Sequence, residues 1–228
     1  MGVGVLVIGT PLMLLVGYNF IFILSILLPI SILTSLLNII WIKYFNKSHS
    51  FKYENIVLKN FFLICTPSIF IGFFLLKIFQ NEINFGIIVS LIIIFSLVVK
   101  INFQNEFKKI SKKLYKWLIS LLGIIHGLTN SGGTILLLLM SSIIDQKEEK
   151  RYIISIFYFL LASIQYLIFL ILFKTNLNFN LLTKILIIIP LGVLLGNVLF
   201  KKLNEQIFSN LINFIIIISA LSLLLKSI

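Results

Sequence analysis

Between Trp117 and Ile144 the chain stays apolar for 28 residues except at its centre, which reads His126-Gly127-Leu128-Thr129-Asn130-Ser131-Gly132-Gly133-Thr134. A soluble protein places so small and polar a run on its surface. Here apolar sequence of membrane grade flanks it on both sides, so the run lies at membrane depth. Irregular backbone is tolerated there only where protein or a water-filled cavity surrounds it. As one helix the segment would be about 42 Å long at 1.5 Å per residue, against about 30 Å of hydrocarbon. That is too long for one upright span and too short for two. Two half-helices meeting near Asn130–Gly133 as a re-entrant hairpin fit better. Discontinuous helices of this kind build substrate sites in many transporters.

The remaining apolar runs have spanning length. They are Phe20–Ile42, Asn60–Phe79, Phe85–Ile101, Tyr152–Phe173, Leu181–Phe200 and Ser209–Leu225, while Val3–Val16 is too short to cross. With 60% apolar residues, 11% charged residues and a mean hydropathy of +1.14, the chain departs from soluble domains, where about a quarter of residues are charged. An integral, multi-pass protein of the cell membrane follows. The net charge of +12 does not point to nucleic acid, because the basic residues sit in short loops between apolar runs, as topology signals do. Met1-Gly2-Val3-Gly4 has no basic region ahead of it, so no signal peptide is expected. The single cysteine, Cys65, lies inside an apolar run and reads as a packing residue.

Loop charge supports the hairpin. The basic loops 43–59 and 100–116 share one side in any arrangement. If the broken segment crosses once, that side collects 13 of the 19 basic residues; if it is re-entrant, it collects 15 and leaves 4 opposite. The positive-inside rule prefers the second arrangement and makes both loops cytoplasmic.

The chain also repeats itself. Pro67–Ile94 resembles Pro190–Ile218: Gly72 and Lys77 match Gly196 and Lys201, and Asn81-Glu82 matches Asn204-Glu205. The broken segment has an echo in Gly2-Val3-Gly4-Val5-Leu6-Val7. The expected fold is an all-α, polytopic transmembrane helix bundle with two inverted repeats, residues 1–110 and 111–228. Each repeat is a glycine-broken re-entrant element plus three spanning helices, the plan of many secondary transporters. The first repeat starts at its glycine break, without the half-helix that leads into the second. Whether Met1 is the true start stays open.

These residues resemble the sulfite exporter TauE/SafE family. The resemblance rests on the first break with its following proline, Gly2-Val3-Gly4 to Pro11-Leu12-Met13, on the second break His126–Thr134, and on the repeated helix ends. It covers essentially the whole chain. The first copy reads Gly-Val-Gly-Val where a glycine triplet would be usual. The resemblance implies transport of sulfur-containing or organic anions, such as sulfite, sulfonates or sulfoacetate-like compounds, across a cell membrane.

The second half-helix would begin at Gly132–Thr134. Its first N–H groups lack partners within the helix and lie at the positive end of the helix dipole, which favours an anion without a charged side chain. Gly133 and its neighbour let a ligand approach the backbone closely. Thr129, Asn130, Ser131 and Thr134 can donate hydrogen bonds; alternatively Asn130 or Ser131 only caps the helix. His126 can donate to an anion or carry a proton, its unperturbed pKa being about 6.5; the alternative is a neutral ring bonded to a carbonyl freed by the break. Gly2 and Gly4 are the matching candidates in the first repeat. Two polar stripes at helical spacing are candidates to line a path: Ser31, Thr34 or Ser35, and Asn38 in one span, and Ser155, Tyr158 and Gln165 in another. Hydrogen bonding between helices explains them equally well. Pro29, Pro67 and Pro190 read as kinks.

No acidic residue falls inside an apolar span, so neither a metal site nor a cation substrate is expected. No cofactor is implied. An intramembrane enzyme would need a nucleophile–base pair, HExxH or paired cysteines, and none is present. The sequence points to a secondary transporter for a small anion, with a channel-like or non-transporting membrane subunit as the alternative. The expected partners are the anion and the lipid bilayer, with no nucleic acid; homo-oligomerisation is left open.

Overall fold

A computed structural model of the chain describes residues 4–45, 54–173, 179–202 and 205–228. In chain order its helices are α1 (Gly4–Val16), α2 (Phe20–Phe45), α3 (Glu54–Asn60), α4 (Thr66–Phe79), α5 (Phe85–Asn102), α6 (Gln104–Lys113), α7 (Tyr115–Thr129), α8 (Gly132–Ile143), α9 (Lys147–Phe173), α10 (Phe179–Lys202) and α11 (Glu205–Ser227). Among the described residues there is no strand. Five helical segments are long and apolar enough to cross a membrane: Phe20–Tyr44, Val57–Phe79, Phe85–Asn102, Lys147–Phe173 and Asn210–Ser227. Within α10 the described apolar stretch is the shorter Leu186–Leu199. The chain is therefore an all-helical, multi-pass membrane protein.

Five of the six expected spans recur with shifted ends, and Leu181–Phe200 is represented by the shorter apolar stretch of α10. The helix of the fourth span starts at Lys147, five residues before Tyr152, because its charged first turn is helical too. The span ending at Phe79 begins at Val57 and contains a π-helical turn, Phe61–Cys65. Pro67 sits in the first turn of α4, where it has no N–H for the preceding turn. The chain widens there, and side chains bond the affected carbonyls, Thr66 Oγ1 to Phe61 O at 3.2 Å and Ser68 Oγ to Ile64 O at 2.8 Å. Local rearrangement of this kind is how membrane helices accommodate proline. Pro29 and Pro190 lie inside α2 and α10.

Contacts sort the helix ends into two sets. At one end Phe20 stacks on Phe85 with ring centroids 4.2 Å apart, Asn84 Nδ2 donates to Ser227 O at 3.0 Å, and Lys226 Nζ donates to Leu15 O at 2.5 Å. At the other, basic end Lys100 Nζ donates to Asn213 Oδ1 at 2.9 Å and Arg151 donates to Asn38 Oδ1 at 3.1 Å. Arg151 also bonds Asn197, tying α9 to both α2 and α10. Arg151 is 3% exposed. It lies just outside the span expected to start at Tyr152; its partners on two other helices draw it inside.

The half-length helices behave differently from the spans. At 13 and 12 residues, α1 and α8 are only about 20 Å and 18 Å long. The start of α7 and the end of α8 lie at the same, basic end: Ser111 and Ser142 share a 2.8 Å hydrogen bond between hydroxyls, and Lys108 pairs with Asp145 at 3.1 Å. Replacing both serines by alanine is expected to show a coupling of about 0.6 kcal/mol in a double-mutant cycle, the usual worth of such a bond between membrane helices. Additive effects on thermal unfolding in detergent would mean that the two ends are not joined.

The helix α7 runs parallel to α4 at very close range. A Cβ on Gly72 would fall 2.2 Å from Ile124 O; on Gly123, 2.7 Å from Cys65 O; and on Gly127, 2.5 Å from Ile69 O. Ser68 and Ser120 hydroxyls bond at 2.9 Å across the same seam. Small residues four apart on both helices allow this approach, and in lipid such packing is what drives helix association.

Candidate functional site

The break is a two-residue joint. The chain leaves α7 through Asn130, whose φ of 58° is the left-handed conformation that closes many helices. It enters α8 through Ser131. Gly132 then backs onto α7: a Cβ there would lie 2.6 Å from His126 Cβ and 3.0 Å from Leu122 O. So α8 folds back along α7, as the common position of their outer ends requires.

The tip of this joint meets α1, which comes from the opposite end. Asn130 Nδ2 donates to Thr10 Oγ1 at 3.1 Å. A Cβ on Gly133 would lie 2.7 Å from Val7 Cγ2. The two glycine-marked elements are therefore neighbours. Gly4 opens α1, and Gly2 lies outside the described residues.

The polar side chains around the joint are all shut from solvent: His126, Thr129 and Asn130 are 0% exposed and Ser131 is 1% exposed. Thr129 Oγ1 donates to Ile125 O at 2.7 Å, and Ser131 Oγ donates to Thr129 O at 3.1 Å. Thr134 Oγ1 reaches Ser131 O and Ser96 Oγ of α5, each at 3.1 Å. Neither Asn130 nor Ser131 caps α8 with its side chain. The carbonyl of His126 accepts from Gln165 Nε2 of α9 at 3.1 Å. The imidazole itself bonds no protein group at either nitrogen. Its ring stands edge-on to Tyr158, centroids 6.4 Å apart and planes at 90°.

His126 is one of several. Buried polar atoms without a hydrogen-bond partner also include Asn130 Oδ1, Tyr158 Oη, Gln165 Oε1, Ser31 Oγ and Ser35 Oγ. A buried polar atom left so costs roughly 1–3 kcal/mol, and native structures hold few of them. Tyr158 Oη lies directly over Gly133, where a Cβ would come within 1.5 Å of it. The helices α2 and α9 pack along each other and run antiparallel, since α2 starts at the opposite end with Phe20 and its last turns, at Asn38 and Lys43, meet the first turns of α9 at Arg151 and Tyr152. That register brings Ser31 level with Tyr158. The concentration of unpartnered polar atoms beside Gly132 and Gly133 is a preformed set of donors and acceptors with no charged group in it.

The structure spreads the two polar stripes along the helices. Tyr158 and Gln165 face the break; Ser31 and Ser35 are buried on α2; Asn38 bonds Arg151 at the basic end, and Ser155 Oγ returns to Arg151 O at 2.9 Å. Thr34 Oγ1 bonds its own helix at Ile30 O, 2.7 Å away. Thr10 and Ser96 escaped the sequence reading. The available signal was weak: an isolated hydroxyl in each of two apolar helices.

The family model described as sulfite exporter TauE/SafE matches residues 1–223. No curated protein and no solved structure matches the chain. With its apolar spanning helices and a match over nearly its full length, the chain belongs to the sulfite exporter TauE/SafE family of membrane transporters.

Proposed function

We propose that the chain is a secondary transporter that moves a small anion, sulfite, a sulfonate or another sulfur-containing organic anion, and that it binds the anion at the break between α7 and α8. The observation that carries this reading is the set His126, Asn130, Tyr158 and Gln165, each buried with an unpartnered polar atom, around the glycine-lined start of α8. Backbone N–H groups at such a helix start favour negative charge, and the hydroxyl, amide and imidazole groups add hydrogen bonds. The specificity for sulfur oxyanions comes from the family alone.

In this reading α7 and α8 form a re-entrant hairpin from the basic side, and α1 is its counterpart from the other. The shared position of the outer ends of α7 and α8 supports the hairpin, and the Asn130–Thr10 bond supports the meeting of the two tips. The repeats 1–110 and 111–228 would then have opposite orientation and rock against each other, exposing the tips to one side at a time. The basic side, with loops 43–59 and 100–116, is cytoplasmic by the positive-inside rule, and the membrane is the cell membrane. Gly4, at the start of α1, would complete the site from that side.

Purified protein in liposomes is expected to take up labelled sulfite, methanesulfonate or sulfoacetate. The transported anion should also raise the thermal unfolding midpoint of wild type but not of Gly133→Leu. A wild type that neither moves nor is stabilised by any anion of such a panel would end this reading in favour of a non-transporting subunit.

A further inference from the structure

We propose, resting on the anion site above, that the anion binds and crosses together with a proton, and that His126 carries that proton. An anion moved into the closed break leaves water for a medium where an uncompensated charge is very costly. The start of α8 offers only about half an elementary charge. A whole compensating charge must come from a side chain that can become positive.

Among the described residues the surroundings leave one candidate at that depth. On α9 the break faces Tyr158 and Gln165; on α8, Gly132 and Gly133; on α1, Val7 and Thr10; on α5, Ser96, while the buried Ser31 and Ser35 belong to α2, which packs against α9. The α4 face against α7 is formed by Ser68, Ile69, Gly72 and Phe73, with Cys65 just below it near Gly123. Tyr158 and Cys65 are acids, so titration would give them the wrong sign. Lys77 is exposed, beyond the seam on α4. Lys100 and Arg151 are held at the basic end by Asn213, Asn38 and Asn197. The cations of α6 and Lys116 lie at the outer end of α7. His126 remains, fully buried with both ring nitrogens bonded to no protein group.

Each charge therefore needs the other. Among the described residues an imidazolium at His126 has no carboxylate to pair with, and an anion at Gly132–Gly133 has no other cation. Binding of either strengthens binding of the other by the same factor, as linkage demands. The step balances simply: the neutral ring takes up one proton from the open side, a monoanion binds beside it, and both leave on the far side. The transported unit is neutral, so a pH gradient drives it and a membrane voltage does not.

The test uses liposomes holding full-length protein and a pH-reporting dye, with the anion that wild type moves. Wild type should accumulate that anion up to about tenfold for one pH unit of imposed gradient, acid on the side of entry. The lumen should acidify in step, and an imposed voltage should change nothing. His126→Gln keeps hydrogen-bonding groups but cannot be charged. It should bind the anion more weakly and lose gradient-driven accumulation, and any flux it retains should follow voltage and not the pH gradient. His126→Asn is the second variant, and because both are compared on the same anion, protons bound to the anion itself cancel. Wild-type flux that follows voltage and ignores the pH gradient overturns the inference, as does proton-driven accumulation by a folded His126→Gln or His126→Asn. A wild type that moves no anion at all overturns the transport reading beneath it.

Discussion

Gly72→Ala should cost about 3 kcal/mol of stability, at the top of the range for overpacking, while the same change at Gly196, its counterpart in the internal repeat, should cost nothing. The added methyl at position 72 would sit 2.2 Å from Ile124 O and 3.0 Å from both Ile124 C and Gly127 Cα. All three are backbone atoms, so no rotamer change relieves the clash. Either α4 and α7 separate or the substituted chain fails to fold. Separation would also stretch the Ser68–Ser120 bond. At Gly196 nothing lies within 4 Å of an added Cβ, and alanine is the better helix former by up to about 1 kcal/mol. The prediction is a large fall in the thermal midpoint in detergent for one glycine and no change or a small rise for its repeat mate. Equal midpoints for Gly72→Ala and wild type would mean that the seam is not closed as described.

Those two glycines also mark what the sequence makes legible. Apolar run length is fixed by bilayer thickness, so the spans can be read directly, with end errors where charged turns such as Lys147–Arg151 are helical. The break can be read too, because a run such as Asn130-Ser131-Gly132-Gly133 has few roles between apolar flanks. Its partners cannot. Thr10 is 120 residues away from Asn130 in sequence, and Ser96 meets Thr134 only because α5 packs against α8. Nothing local distinguishes these hydroxyls from any other in an apolar helix. Arg151 shows the converse: it ends the charged run Lys147–Arg151, which suggests a loop, but Asn38 and Asn197 fix it inside. The α6 segment, rich in lysine and only 10 residues long, was visible as a charged loop but not as a helix.

Tyr158→Phe should make the protein more stable and a worse transporter. Tyr158 Oη is buried and has no hydrogen-bond partner, so deleting it removes a cost of about 1 kcal/mol or more from the closed form. In the proposed site the same atom, lying over Gly133, donates to the anion, so transport should fall by about tenfold, the effect of losing one hydrogen bond to a charged ligand. Gly133→Ala attacks the same contact from the other side. Its methyl would lie 1.5 Å from Tyr158 Oη and 2.7 Å from both Tyr158 Cζ and Val7 Cγ2. The tyrosine must move by more than an ångström, and a displacement of that size at a working site can cost about a hundredfold. Combining the two changes separates packing from chemistry. Gly133→Ala/Tyr158→Phe removes the worst clash, so its thermal midpoint should recover most of the loss seen in Gly133→Ala. Its transport should stay low, because the hydroxyl is gone and the glycine surface is covered. Full recovery of transport in the double variant would show that Tyr158 serves only to fill space above the glycines, and a Tyr158→Phe that melts below wild type would show that its hydroxyl is bonded after all.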